Sequence, residues 1–200
     1  MRGVSWAGLV VAGGTAAAML LSGCTPPDDQ ADAAPPDPDG SAVQEESAPV
    51  GEAADAGGIC AYLDFASLSQ ATGETFSVAV AGGEGEVTSC VVQTTAGSFP
   101  DVTLTKAKTA TDADTYRAEI PPEDSQDVDE LGKAAYSVVR EAVPGGGPVV
   151  EIGWLTDGHM YSLRYTTALD TEAEAAEATV AALVEVVRQV DELAAAAEEE

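Results

Sequence analysis

Basic residues are scarce in this sequence. Eight Lys and Arg stand against 35 Asp and Glu, and the formal net charge is −27. Recognition of a phosphate backbone needs clustered Lys and Arg, so the balance argues against a nucleic-acid partner. An anionic lipid surface would repel the same chain, so any hold on a membrane has to be covalent. Solubility, or life in a salty habitat, accounts for the acids more simply than a specific cation-binding role.

Histidine is scarcer still. His159 is the only one, which leaves no His cluster for a metal, and no Cys-x-x-Cys is present to supply thiolates. Catalysis by Ser, His and Asp needs a nucleophile beside the His, and no Gly-x-Ser-x-Gly offers one. Gly145-Gly146-Gly147 is not followed by Lys-Ser or Lys-Thr, so it is no phosphate loop. Asp37-Pro38-Asp39-Gly40 lacks the later ligands of a calcium loop. His159-Met160-Tyr161 cannot all face one haem iron, because neighbouring strand residues point to opposite faces. No cofactor and no metal are expected. Solenoid repeats are absent too.

What is present begins with a targeting segment. Arg2 is followed by an uncharged run from Val4 to Leu21, and the run ends at Leu21-Ser22-Gly23-Cys24. Those four residues resemble the lipobox of bacterial lipoproteins. The resemblance implies cleavage after Gly23 and a diacylglyceryl group on Cys24, with further acyl chains such as palmitate. Two or three chains anchor firmly where one does not. An uncleaved membrane span is the alternative, since the run is close to the ~18 residues needed. It gives no reason for Leu-Ser-Gly-Cys to stand at its end. Either way the chain is exported, and the lipoprotein reading puts it on the outer face of the cytoplasmic membrane.

Three cysteines make an odd number. Lipidation of Cys24 leaves Cys60 and Cys90, and in an oxidising compartment two such cysteines are expected to pair. The closed loop would contribute about 3–4 kcal/mol in the chain-entropy model. A reactive or metal-binding pair is the other reading.

From the anchor to Gly58 the chain is rich in Pro and acids, with no base and no aromatic residue. It cannot bury enough apolar surface to offset the entropy of ordering, so residues 24–58 read as a tether. A coil of that length spans roughly 30 Å, and an extended polyproline-like form about 100 Å. Residues 59–193 carry the periodic patterns of one domain. Residues 194–200, Ala and Glu only, are expected to fray, because acids oppose the dipole at a helix C-terminus.

Within the domain, Asp64 can cap a short helix that Gly73 ends. Alternation predicts strands from Phe76 to Val80, Val87 to Thr95 and Val102 to Lys108. Asp112 opens a second helix, stopped by Pro121-Pro122, and an acidic loop runs to Gly132. Further strands are expected over Ala135–Ala142, Val149–Thr156 and Met160–Thr166. The last two are joined by Asp157-Gly158, a strong hairpin signal. Ala176, Val180, Leu183, Val184, Val187 and Val190 share one face of a closing helix. The expected fold is therefore α+β: a mainly antiparallel sheet of about six strands flanked by helices, in the order αβββαβββα.

Several of these residues resemble a family. Cys60-Ala61-Tyr62-Leu63-Asp64 at the domain's start, Gly73, Cys90 in the second strand, Leu131-Gly132-Lys133-Ala134-Ala135-Tyr136 before a later strand and the Val-rich closing helix are similar to small actinobacterial secreted lipoprotein domains of the LpqN-related group. The likeness spans Cys60 to Val190. It implies a PsbP-like sandwich and a Cys60–Cys90 disulfide, and it brings no catalytic residues.

These readings favour a non-catalytic binding or accessory module that takes an envelope protein, a wall polymer or a small ligand. The alternatives are a passive surface lipoprotein and a hydrolase built on two carboxylates, one with a raised pKa. The candidate contact surface is Asp157, His159, Tyr161 and Tyr165 with the Gly-rich loop before Val149. Tyr161, Leu163 and Tyr165 share one strand face, and the competing expectation is that this face is core.

Overall fold

The computed structural model describes residues 52–198; the signal sequence, Cys24 and the expected tether up to residue 51 lie outside them. Two short 3-10 turns, Ala53–Ala56 and Gly58–Tyr62, lead into α1 (Phe65–Thr72). Three strands follow: β1 (Val78–Glu84), β2 (Val87–Gln93) and β3 (Asp101–Lys108). After α2 (Ala113–Glu119) come β4 (Gln126–Asp127), β5 (Ala134–Arg140), β6 (Val149–Leu155) and β7 (His159–Thr166), and α3 (Ala173–Glu198) closes the chain. The strands form one antiparallel sheet in the order β1-β2-β3-β7-β6-β5-β4. Class and sheet type are those expected, with seven strands in place of about six. The added β4 has only two residues, too few for a period to register.

Local chemistry sets the ends of these elements. The Asp64 carboxylate accepts the Ser67 N–H at 2.7 Å, and Gly73 leaves α1 in the left-handed region at φ 79°. Asp112 caps α2 by accepting from the N–H groups of Asp114 and Thr115. Gly158, at φ 81°, turns β6 into β7, with Leu155 opposite Met160.

The sheet has two unlike faces. On one, Cys90, Val92, Val102, Leu104, Ile152, Trp154, Tyr161, Leu163 and Tyr165 form the core, which Leu183, Val187 and Val190 of α3 complete. Each such side chain contributes about 1.5–3 kcal/mol by leaving water. Beneath α2 on the other face lies a smaller cluster of Tyr116, Ala134, Tyr136, Val138 and Leu155.

Cys60 and Cys90 are joined by a disulfide and fully buried. It fastens the second 3-10 turn to β2. Two expected boundaries move outward. Ala53 is 1 % exposed and belongs to the core, so the packed chain begins before Ile59. At the other end α3 continues through Glu198, and Ala194 is buried, so the helix stays packed to Ala194 and runs on as helix where fraying was expected.

Candidate functional site

Alternation along β3 puts Val102 and Leu104 in the core and carries Lys106 and Lys108 to the end of the same face. On β7 the paired residues are Tyr161 opposite Lys106 and His159 opposite Lys108. At this end the apolar face runs out. Helix α3, 26 residues long, spans about 39 Å at 1.5 Å per residue. That exceeds the roughly 26 Å of an eight-residue strand, so its last turn projects past the core. There Glu198 sets one carboxylate oxygen 3.0 Å from the Lys106 ammonium and 3.0 Å from His159 Nδ1. The His159 approach is one of distance alone, since Nδ1 has no aligned hydrogen-bond partner. An acid at a helix C-terminus is unfavourable, and the Lys106 ammonium offsets it.

The start of β5 adds a further base. Lys133 pairs with Asp157 at the β6–β7 turn, while Lys108 reaches Glu86 at 3.2 Å. All three lysines of the chain and its single histidine are thus gathered at one end of the sheet. Burial works against the Lys106 ammonium, yet its hydrogen bonds to Glu198 and Tyr161 and their charges outweigh that, and its pKa stands above the usual lysine value. Lys106 also lies 5.5 Å from the Tyr161 ring centre, within cation–π range.

Two concavities flank this group. One, of about 350 Å³, is lined by Lys133, Thr156, Asp157, Tyr161, Asp191 and Glu198 among others. The second, of about 490 Å³, is lined by Ile59, Tyr62, Glu86, Lys106, Lys108 and His159 among others. The Asp191 carboxylate accepts the Trp154 indole N–H at 3.0 Å, and Trp154 stacks on Tyr161 with ring centres 5.0 Å apart. Tyr161 and Asp191 line the first concavity, and Trp154, fully buried, backs them from within.

Of the expected contact surface, Asp157 is exposed at the hairpin tip and His159 is half-buried at its base. Tyr161 and Tyr165 need correcting: each is only 3 % exposed, and both pack in the core under α3 and α1. Burial raises the pKa of Tyr161 and pushes that of Tyr165 up to about 12. The Gly-rich loop is no contact surface either. Gly146 and Gly147 are buried against Phe99, Thr166, Thr167 and Ala168, with no room for a Cβ. Cys24 lies outside the described residues, and Cys60 and Cys90 are bonded to one another. Sequence reasoning missed Lys106, Lys108, Lys133 and Glu198. The available signal was scarcity: with three lysines in the chain, two of them at alternate positions of one strand already mark a face.

A second polar cluster lies on the opposite face. Glu151 accepts the Tyr136 hydroxyl at 2.7 Å, pairs with Arg140 at 3.0 Å and has Arg164 at 3.8 Å. Tyr136 lies against Gly153, where a Cβ would meet its ring. Burial and the Glu151 charge raise the pKa of Tyr136 well above its ordinary value. Glu151 is surrounded by its own partners on β5 and β7, so the cluster reads as a brace across three strands.

Asp101 is the carboxylate whose pKa burial raises, against the hydrogen bonds of Thr166 and Thr103. It lines neither concavity at the basic end. Among the described residues no group of three or more His, Cys, Asp or Glu is placed to hold a metal, and no helix is long and apolar enough to cross a membrane. No family model, curated protein or solved structure matches this chain.

Proposed function

We propose that this chain is a non-catalytic binding module of the bacterial envelope, displayed outside the membrane by a lipid on Cys24, whose basic end holds a carboxylate or phosphate group of a small ligand or wall polymer. The gathering of all three lysines and the lone histidine around two adjoining concavities carries this reading. The protein's own carboxylates mark where a ligand's oxyanion would sit. Exposed ion pairs are worth under about 1 kcal/mol, so exchanging Glu86 or Asp157 for a ligand oxygen costs little. The acids elsewhere repel an anion at long range, but that repulsion is screened beyond roughly 8–10 Å at physiological salt. The PsbP-like, LpqN-related assignment belongs to the same proposal and rests on the sequence motifs from Cys60 to Val190.

A passive acidic surface protein is the second reading. It is favoured by the fact that each lysine already has a carboxylate partner. Thermal melting with citrate and with inorganic phosphate separates the two, using sodium chloride of equal ionic strength as control. A ligand at 100 times its Kd stabilises by about 2.7 kcal/mol, a rise of roughly 5–10 °C for a domain of this size. The rise is expected to vanish in Lys106→Met/Lys108→Met. If neither anion raises the melting temperature above the chloride control, the passive reading stands.

A further inference from the structure

The two edges of the sheet are built differently. β4 is two residues long and sits among Glu123, Asp124, Asp127, Asp129 and Glu130. A short edge in a charged surround is how sheets avoid pairing with other chains. β1, the opposite edge, has seven residues, Val78-Ala79-Val80-Ala81-Gly82-Gly83-Glu84. It pairs with β2 without a bulge from Val78↔Gln93 to Glu84↔Val87, and its outer backbone groups have no backbone partner among the described residues. It contains no Pro and no Lys, and its one charge is at the end. Val78 is 39 % exposed, Val80 59 % and neighbouring Val87 44 %. From Ser77 to Gln93 the only charges are Glu84 and Glu86, both at the hairpin turn.

We propose that β1 is a docking edge for β1 of a second copy of this chain, giving a two-fold dimer with one sheet running through both. Antiparallel pairing about Ala81 fits the sequence. Val80 then stands opposite the partner's Gly82, on the face where that strand has no side chain. Glu84 stands opposite Val78, so no carboxylate faces another. The exposed valines of both copies fall on the same face and join into one stripe. This strand, with Glu84 its one charge, is where two molecules of this acidity can approach with least repulsion. Because the β4 edge is guarded, each chain offers one competent edge, and assembly closes at two. A strand-to-strand contact is small, so the association is weak and reversible.

Sedimentation velocity of the full chain, purified in mild detergent, tests this at low and at 1 M salt. The expected result is a monomer–dimer equilibrium that moves toward dimer as salt screens the like charges, and back to monomer in Val80→Lys with its melting curve unchanged. A Val80→Cys/Gly82→Cys chain is expected to form a reducible covalent dimer, and Val87→Cys, one strand further in, is not. A chain monomeric at several hundred micromolar in 1 M salt overturns the proposal. So does a dimer indifferent to Val80→Lys, or an open-ended series of larger species.

Discussion

Single residues at element ends do chemistry that depends only on their neighbours. Asp64 is the clearest: the Ser67 backbone N–H, helped by the Ser67 hydroxyl, holds its carboxyl below the usual aspartate range. A carboxylate whose pKa is depressed on folding adds stability above its unfolded pKa and loses it as pH falls through the folded value. Asp64→Ala is expected to cost about 1 kcal/mol at neutral pH, toward the lower end of capping values because the site is exposed. The gap between wild type and variant should hold down to about pH 4, near the unfolded value, and close below it. Urea melts across that range check both the size and the sign. This residue, Gly73 and the Asp157-Gly158 turn were legible in the sequence because a cap or a tight turn is decided within four residues.

At the scale of elements, legibility depends on which neighbour covers a face. Alternation places Tyr161, Leu163 and Tyr165 together, but it does not say whether that side meets water or a helix. Helix α3 decides it, and its own stripe of Leu183, Val187 and Val190 was readable without its destination. The basic end was not readable, because Lys106 and Glu198 are 92 residues apart and meet only through the overhang of α3. Leu183→Ala is expected to destabilise by about 2–5 kcal/mol. Trp154, the one tryptophan after Trp6, is fully buried and hydrogen-bonded to α3 through Asp191. Its emission reports the same helix, and in this variant the red shift should coincide with loss of helical circular dichroism. A red shift well ahead of the helical signal would mean that α3 leaves the sheet without melting.

For the molecule as a whole, the sequence spoke to class, sheet type and the cysteine pair, since these follow from composition and the order of patterns. It was silent on the edges: β4 is too short to show a period, and the contrast between a guarded and an open edge exists only once strand order is known. The disulfide also has a mechanical meaning. A load applied at residue 52 and resisted at Glu198 can peel away only the stretch before Cys60, about 28 Å of chain at roughly 3.5 Å per residue. Beyond that the pull passes through a covalent bond into β2, the second strand of the sheet. In a single-molecule pulling experiment the oxidised chain is expected to yield this short first extension and then to stay shut until the sheet shears. The reduced chain should first pay out the segment between the two cysteines, which are 30 positions apart, about 100 Å more, as α1 and β1 come away in sequence. The staple at residue 60 thus sets how far the domain gives under tension at its N-terminal end.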